Sequence, residues 1–237
     1  MFQSRIRESI DSQQTTAGGL AGTFQVDIEP GDPINDPAVV PLVDALVGLS
    51  RSSDHVPYVN LHLSEDWRTA QIPGVAGQAD KIAELATRTG VVVIGGAAPI
   101  WAYLAALCCA LQAREDVRVF FYDPRQPERL VEIPIQPGRG PAAFPDDTLR
   151  VSWRSEGERA ILQFEITTPD KFLPTIAAQN LAGAPVPPPA PGGDVGLSGA
   201  GPTWLYGTYA RWLIARGAGG VASWDGRLRE FVRVWGG

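Results

Sequence analysis

Lysine is nearly missing from this chain: of its 20 basic residues only Lys81 and Lys171 are lysines. Histidine is confined to His55 and His62, and cysteine to the adjacent pair Cys108 and Cys109. So few metal-binding side chains leave no zinc-type spacing and no histidine-carboxylate metal set. Two neighbouring cysteines on one helix point apart, so they read as small buried hydrophobes in a reducing compartment rather than a disulfide. No apolar run reaches the roughly 18 residues of a membrane span, since the longest, over residues 91–113, is broken by Gly95, Gly96 and Pro99. Met1-Phe2-Gln3-Ser4-Arg5 is not followed by an apolar signal core, so a cytoplasmic location is expected. The net charge of −6 argues against a partner such as long nucleic acid, whose binding needs many phosphates neutralised. A small anion is still allowed. There is also no nucleophile elbow around a serine and no P-loop.

What the chain has instead is a sentence said twice. Gly95-Gly96-Ala97-Ala98-Pro99-Ile100-Trp101 is followed by Tyr122-Asp123-Pro124-Arg125. Ser198-Gly199-Ala200-Gly201-Pro202-Thr203-Trp204 is followed at nearly the same distance by Trp224-Asp225-Gly226-Arg227. A repeat of this kind decides the architecture before any single element does.

The periodicity predicts a strand over residues 58–63 that aligns with one over residues 161–166, each alternating with period two. In the first copy a helix over residues 79–89 follows, then a buried strand at 90–94, a glycine turn at 95–99 and a helix at 100–112 with proline at its start. A returning strand at 117–122 and a short one at 130–133 complete the unit. The second copy repeats this with a strand at 195–198, a helix at 203–215 and strands at 220–224 and 231–234. Its connection reads as a helix over residues 173–181 and a proline-rich loop over 185–193. Residues 1–54, a polar tail followed by a strand at 23–28 and a helix at 38–49, form an extension without an evident counterpart. The first repeat is set at residues 55–140 and the second at 141–237, joined near the linker at 136–141. The expected fold class is α/β, with two Rossmann-like repeats forming an intramolecular pseudo-dimer.

In a βαβ unit the glycine turn leaves the carboxyl end of one strand and feeds a helix N-terminus, where backbone N–H groups and the helix dipole favour an anion. The Asp and Arg follow the next parallel strand and emerge on the same edge, where open α/β sheets bind ligands. The candidate ligand-binding residues are therefore Gly95, Gly96, Ala97 and Pro99 with Ser198, Gly199, Gly201 and Pro202. The candidate catalytic residues are Asp123, Arg125, Asp225 and Arg227. Taken singly these are also ordinary turn residues. Further arginines crowd the same parts of the two copies: Arg118 and Arg129, then Arg229 and Arg233. Arginine suits bidentate phosphate recognition, although a general preference for arginine over lysine explains the bias as simply. Trp101 and Trp204 read as core anchors in the first helical turn, with stacking on a base as the other reading.

A strand, Ser198-Gly199-Ala200-Gly201-Pro202-Thr203-Trp204-Leu205-Tyr206, a helix, and then Tyr122-Asp123-Pro124-Arg125 as the first copy has it, resembles the third family of CRISPR ring nucleases. These belong to type III CRISPR systems and are distant relatives of the CRISPR-associated Rossmann-fold sensors. The resemblance implies binding of cyclic tetra-adenylate and its manganese-dependent linearisation, which shuts the antiviral response down. It also implies a family dimer fused here into one polypeptide, with further self-association still compatible. Asp123 and Asp225 would hold a metal, orient an arginine or accept a proton, and Arg125 and Arg227 would meet the phosphates. A histidine near the end of the post-motif helix, which the resemblance also implies, is absent from Leu107-Cys108-Cys109-Ala110-Leu111 and from Ala210-Arg211-Trp212-Leu213-Ile214. Its absence keeps a second expectation alongside the nuclease: a non-catalytic protein that senses or sequesters cyclic oligoadenylate.

Overall fold

The structure, a computed structural model, describes residues 24–29, 58–63, 79–127, 129–135, 148–170, 172–173 and 192–236. The expected helices at 38–49 and 173–181, the linker at 136–141, the proline-rich loop at 185–191 and His55 lie outside them, apart from Leu173 itself.

The described chain is mixed α/β, with two five-stranded mixed sheets. The first contains β1 (Phe24–Glu29), β2 (Tyr58–Leu63), β3 (Val91–Ala97), β4 (Arg118–Tyr122) and β5 (Leu130–Ile133) in that spatial order. The second contains β6 (Leu149–Glu156), β7 (Arg159–Ile166), β8 (Asp194–Ala200), β9 (Gly220–Asp225) and β10 (Glu230–Trp235), also in sequence order. In both sheets the three middle strands are parallel and the two edge strands antiparallel to them. Register matches as well as order: Leu61 faces Gly96 across β2 and β3, and Phe164 faces Gly199 across β7 and β8. β1 does have a counterpart, contrary to the sequence reading. It is β6, which pairs antiparallel with β7 as β1 pairs with β2.

Helix α1 (Ala79–Thr89) is amphipathic and buries Ile82, Leu85 and Ala86 against helix α2 (Ile100–Ala113). α2 and helix α3 (Thr203–Ala215) are different in kind. Every residue from Trp101 to Leu111 is buried, as is every residue from Trp204 to Leu213. A helix apolar on all sides needs partners on all sides. α2 packs on β3 of its own half and on β9 and β10 of the other, while α3 packs on β8 and β9 and reaches β5. The two helices also touch each other, so the core is one layer of helix held between the two sheets. Gly207 lets α3 approach the first sheet, because a Cβ there would come within 2.7 Å of the Phe121 ring of β4. Cys108 and Cys109 sit in this layer as buried free thiols, and burial pushes the Cys109 thiol up to about 12.

Candidate functional site

Two notches at matched strand ends define the site. β3 pairs with β2 through Ala97, but its pairing with β4 ends at Ile94 opposite Phe121. Gly95, Gly96 and Ala97 therefore continue as strand on one side and leave the other side open. β8 does the same: it pairs with β7 through Ala200 and with β9 only through Leu197. The expected turns at 95–99 and 199–202 are thus strand extensions for part of their length, and the chain breaks only at Ala98-Pro99 and Gly201-Pro202. The reason lies at two glycines. Gly96 has φ 108° and Gly199 φ 123°, values that bend the strand end without a clash only when no Cβ is present. At Gly199 a Cβ would lie 2.0 Å from the Phe164 carbonyl oxygen.

A tyrosine fixes each bend. Tyr103 donates its hydroxyl to the Gly96 carbonyl and Tyr206 to that of Gly199, both at 2.5 Å. Each tyrosine lies in the second turn of its helix, so strand end and helix start are tied together. Burial pushes the Tyr206 hydroxyl up to about 12, so it remains a donor at neutral pH. Tyr206 was legible in the motif, but its partner was not. Pro99 and Pro202 hold extended conformations at the helix starts (φ −68° in both), and neither helix carries a side-chain cap. Gly95, Ser198 and Pro202 are buried, Pro99 and Gly201 half-buried, and Ala97 and Gly199 exposed.

The Asp-x-Arg turns follow β4 and β9. In each, the carboxylate folds back onto the arginine two residues on. Arg125 donates Nε to Asp123 Oδ1 at 2.9 Å and Nη2 to Oδ2 at 3.0 Å. Arg227 donates Nε to Asp225 Oδ1 at 2.9 Å and Nη2 to Oδ2 at 2.5 Å. The backbone N–H of each arginine adds a third bond to Oδ1, an Asx turn that the spacing alone produces. Asp123 and Asp225 are buried beneath arginines whose side chains are 63% and 35% exposed. Burial alone would raise the Asp225 carboxyl, but the Arg227 hydrogen bonds, its charge and the Leu228 amide hold it down at about 2. Each aspartate therefore holds its guanidinium group at two points, and its lone pairs are largely occupied.

The two halves share these sites. Trp101, in the first turn of α2, donates its indole N–H to Asp225 Oδ2 at 3.0 Å, across 124 residues of sequence. Asp225 thus lies between the β8 notch of its own half and the helix start of the other. Trp204, the counterpart in α3, is fully buried, and its indole N–H has no hydrogen-bond partner. Both tryptophans are core anchors, 2% and 0% exposed, and are not available to stack on a base. Gln126, buried in the first Asp-x-Arg turn, donates to the Leu173 carbonyl at 3.0 Å and ties that turn to the second half. Arg211 of α3 inserts a buried guanidinium into the first half, where it donates to the carbonyls of Ile133, Glu115 and Val117 at 2.9–3.2 Å. Burial lowers its pKa to about 10, which leaves it charged at neutral pH. Cys108 holds the corresponding place in α2, so this clamp exists once.

No protein-family model, curated protein or solved structure matches the chain.

Of the six crowded arginines, two are committed away from the notches. Arg118 forms a two-point pair with Glu132 at 2.7 and 2.8 Å, and Arg233 pairs with Asp194. Arg125, Arg129, Arg227 and Arg229 remain at the strand ends that carry the notches. An open cavity of about 720 Å³ lies elsewhere, beside Asp194 at the opposite end of β8, and is lined by Glu156, Glu158, Arg159 and Phe231. It belongs to no pair of matched motifs. Among the described residues no group of three or more His, Cys, Asp or Glu side chains gathers to hold a metal ion, and no helix is long and apolar enough to cross a membrane.

Proposed function

We propose that the chain binds cyclic tetra-adenylate across its two notches and linearises it, acting as a ring nuclease that switches off type III CRISPR signalling. The halves would then be Rossmann-like repeats forming an intramolecular pseudo-dimer. The observation that carries the reading is the duplication of one chemical unit in one register: a glycine-bent strand end, a helix start and an Asp-aimed arginine. A ligand with repeated phosphates and internal symmetry is the natural match for such a pair of sites. Helix starts and guanidinium groups both attract phosphate.

Linearisation by attack of a ribose 2′-hydroxyl on the adjacent phosphorus needs that hydroxyl held in line and the growing negative charge stabilised. Arg125 and Arg227 would supply the charge stabilisation, with Asp123 and Asp225 as positioning residues behind them. A carboxylate held near pKa 2 is a poor proton acceptor at neutral pH, so Asp225 is not assigned that step. Manganese, which the family resemblance implies, does not fit the described donor set: each nearby carboxylate already spends both oxygens on its arginine.

A second reading has a specific observation behind it. Both aspartates are already tied to their arginines, and Asp225 is held low, which favours a protein that binds cyclic oligoadenylate without cutting it. Incubation of the protein with cyclic tetra-adenylate, with and without manganese, separates the readings. Linear products that vanish in Arg125→Ala or Arg227→Ala support the nuclease. Tight binding without products selects the sensor. Failure to bind any cyclic oligoadenylate ends both.

A further inference from the structure

Trp101 and Trp204 are sealed in the core, but a third tryptophan stands at the second notch. The ladder between β8 and β9 ends at Leu197 opposite Ser223, so Trp224 is the first β9 residue past the pairing and borders the open side. Its ring is held on two sides. Trp224 lies across from Phe231 in the ladder between β9 and β10, with the ring centroids 5.1 Å apart and the planes at 63°. Phe231 is itself seated on Gly196, where a Cβ would come within 2.6 Å of its ring. The indole Nε1 edge rests against the second Asp-x-Arg turn: a Cβ on Gly226 would sit 3.8 Å from Nε1. Trp224 is nevertheless 37% exposed. Among the described residues only Ile135, Trp224 and Leu228 are large hydrophobic residues left this exposed, and the last two bracket Arg227. Register places the half-buried Tyr122 at the matching point of the first notch, just past the last pair of β3 and β4. Turn chemistry asks for no aromatic residue at either place.

We infer that Trp224 is the base-binding residue of the second notch, its indole stacking on an adenine of the ligand while Arg227 meets a neighbouring phosphate. The inference rests on the proposed function for its ligand. Every base has a π face, so an exposed indole is a platform for one, and a ring already fixed in orientation loses little freedom on stacking. Phe231 and the Gly226 turn supply that fixing. The turn against the indole is also the one that carries Arg227, so stacking surface and guanidinium lie within one short segment, residues 224–227. A guanidinium alone accepts any phosphate, whereas the indole adds a preference for a ligand that carries bases.

The test is Trp224→Phe and Trp224→Leu, both of which keep an apolar side chain against Phe231, titrated with cyclic tetra-adenylate and with adenosine monophosphate by calorimetry and by tryptophan fluorescence. Cyclic tetra-adenylate should quench the fluorescence of the wild type. Trp224→Phe should keep most of the affinity but lose most of the quench, and Trp224→Leu should lose affinity at least about fivefold, the low end of base–aromatic stacking. Wild-type affinity in Trp224→Leu, or an undiminished quench in Trp224→Phe, would overturn the inference and leave the proposed function standing. If adenosine monophosphate alone binds, and quenches the wild type but not Trp224→Phe, the base-binding role of Trp224 stands and the proposed ring is wrong. A wild type that binds neither probe overturns both.

Discussion

Trp101 and Trp204 occupy the same helical position in the two halves and are equally buried, yet only Trp101 has a partner for its indole N–H. Replacing each in turn by phenylalanine therefore isolates a single hydrogen bond. Both substitutions remove similar packing and leave a similar void, a common cost of order 1–2 kcal/mol. Trp101→Phe also removes a donor to an ionised, buried carboxylate, a bond worth about 1.5–3 kcal/mol. Trp204→Phe removes a buried N–H with no acceptor, whose desolvation costs about 1–3 kcal/mol, so part of its packing loss is recovered. Trp101→Phe should thus be the more damaging by at least about 2 kcal/mol. Urea unfolding reads the difference: with a slope of about 2–3 kcal/mol/M, the two midpoints should lie roughly 0.7–1 M apart with equal slopes. Equal midpoints, or a less stable Trp204→Phe, would refute the claim that the indole of one half supports the carboxylate of the other.

Three further outcomes follow from the same contacts. Asp225 is held at about 2 in the fold against an ordinary value of 3.8, so its contribution to stability is complete above about pH 4 and is lost as the pH falls toward 2; urea midpoints should show this acid loss, and Asp225→Asn should flatten it. Gly199→Ala forces a left-handed φ on an L-residue and drives a Cβ into the Phe164 carbonyl, so it should cost well over about 2 kcal/mol by thermal melting, whereas Gly217→Ala, with nothing within 4 Å of the added carbon, should cost only the left-handed penalty of roughly 1–2 kcal/mol. Arg211→Met strips three buried carbonyls of their donor and should destabilise the chain by about 3 kcal/mol, whereas Arg118→Met, which breaks a half-exposed pair, should cost no more than about 1 kcal/mol.

The repeat, the order of elements within it and the position of the Asp-x-Arg turns were legible because period-two strands and glycine breaks are local signals. β6 was not read as the counterpart of β1. It is an edge strand with little of its surface buried, and its pattern is mostly polar toward the tip. The glycine segments were read as turns because sequence cannot distinguish a turn from a strand that bends at one positive-φ glycine. What joins the halves left no trace at all. The bond from Trp101 to Asp225, the Gln126 tie to Leu173 and the Arg211 clamp each connect residues far apart in the chain, and none follows from periodicity. A histidine was expected near Arg211 by family resemblance, whereas the position holds the two halves together.

The most direct measurement of the central claim, that the two notches form one composite site for a cyclic oligonucleotide, is isothermal titration of the protein with cyclic tetra-adenylate. The expected result is one ring bound per chain, with affinity reduced by either Arg125→Ala or Arg227→Ala because each half supplies one of the two guanidinium groups. Two rings per chain, or a loss confined to one of the variants, would contradict a shared site, and the absence of any binding heat or competition would contradict the ligand itself.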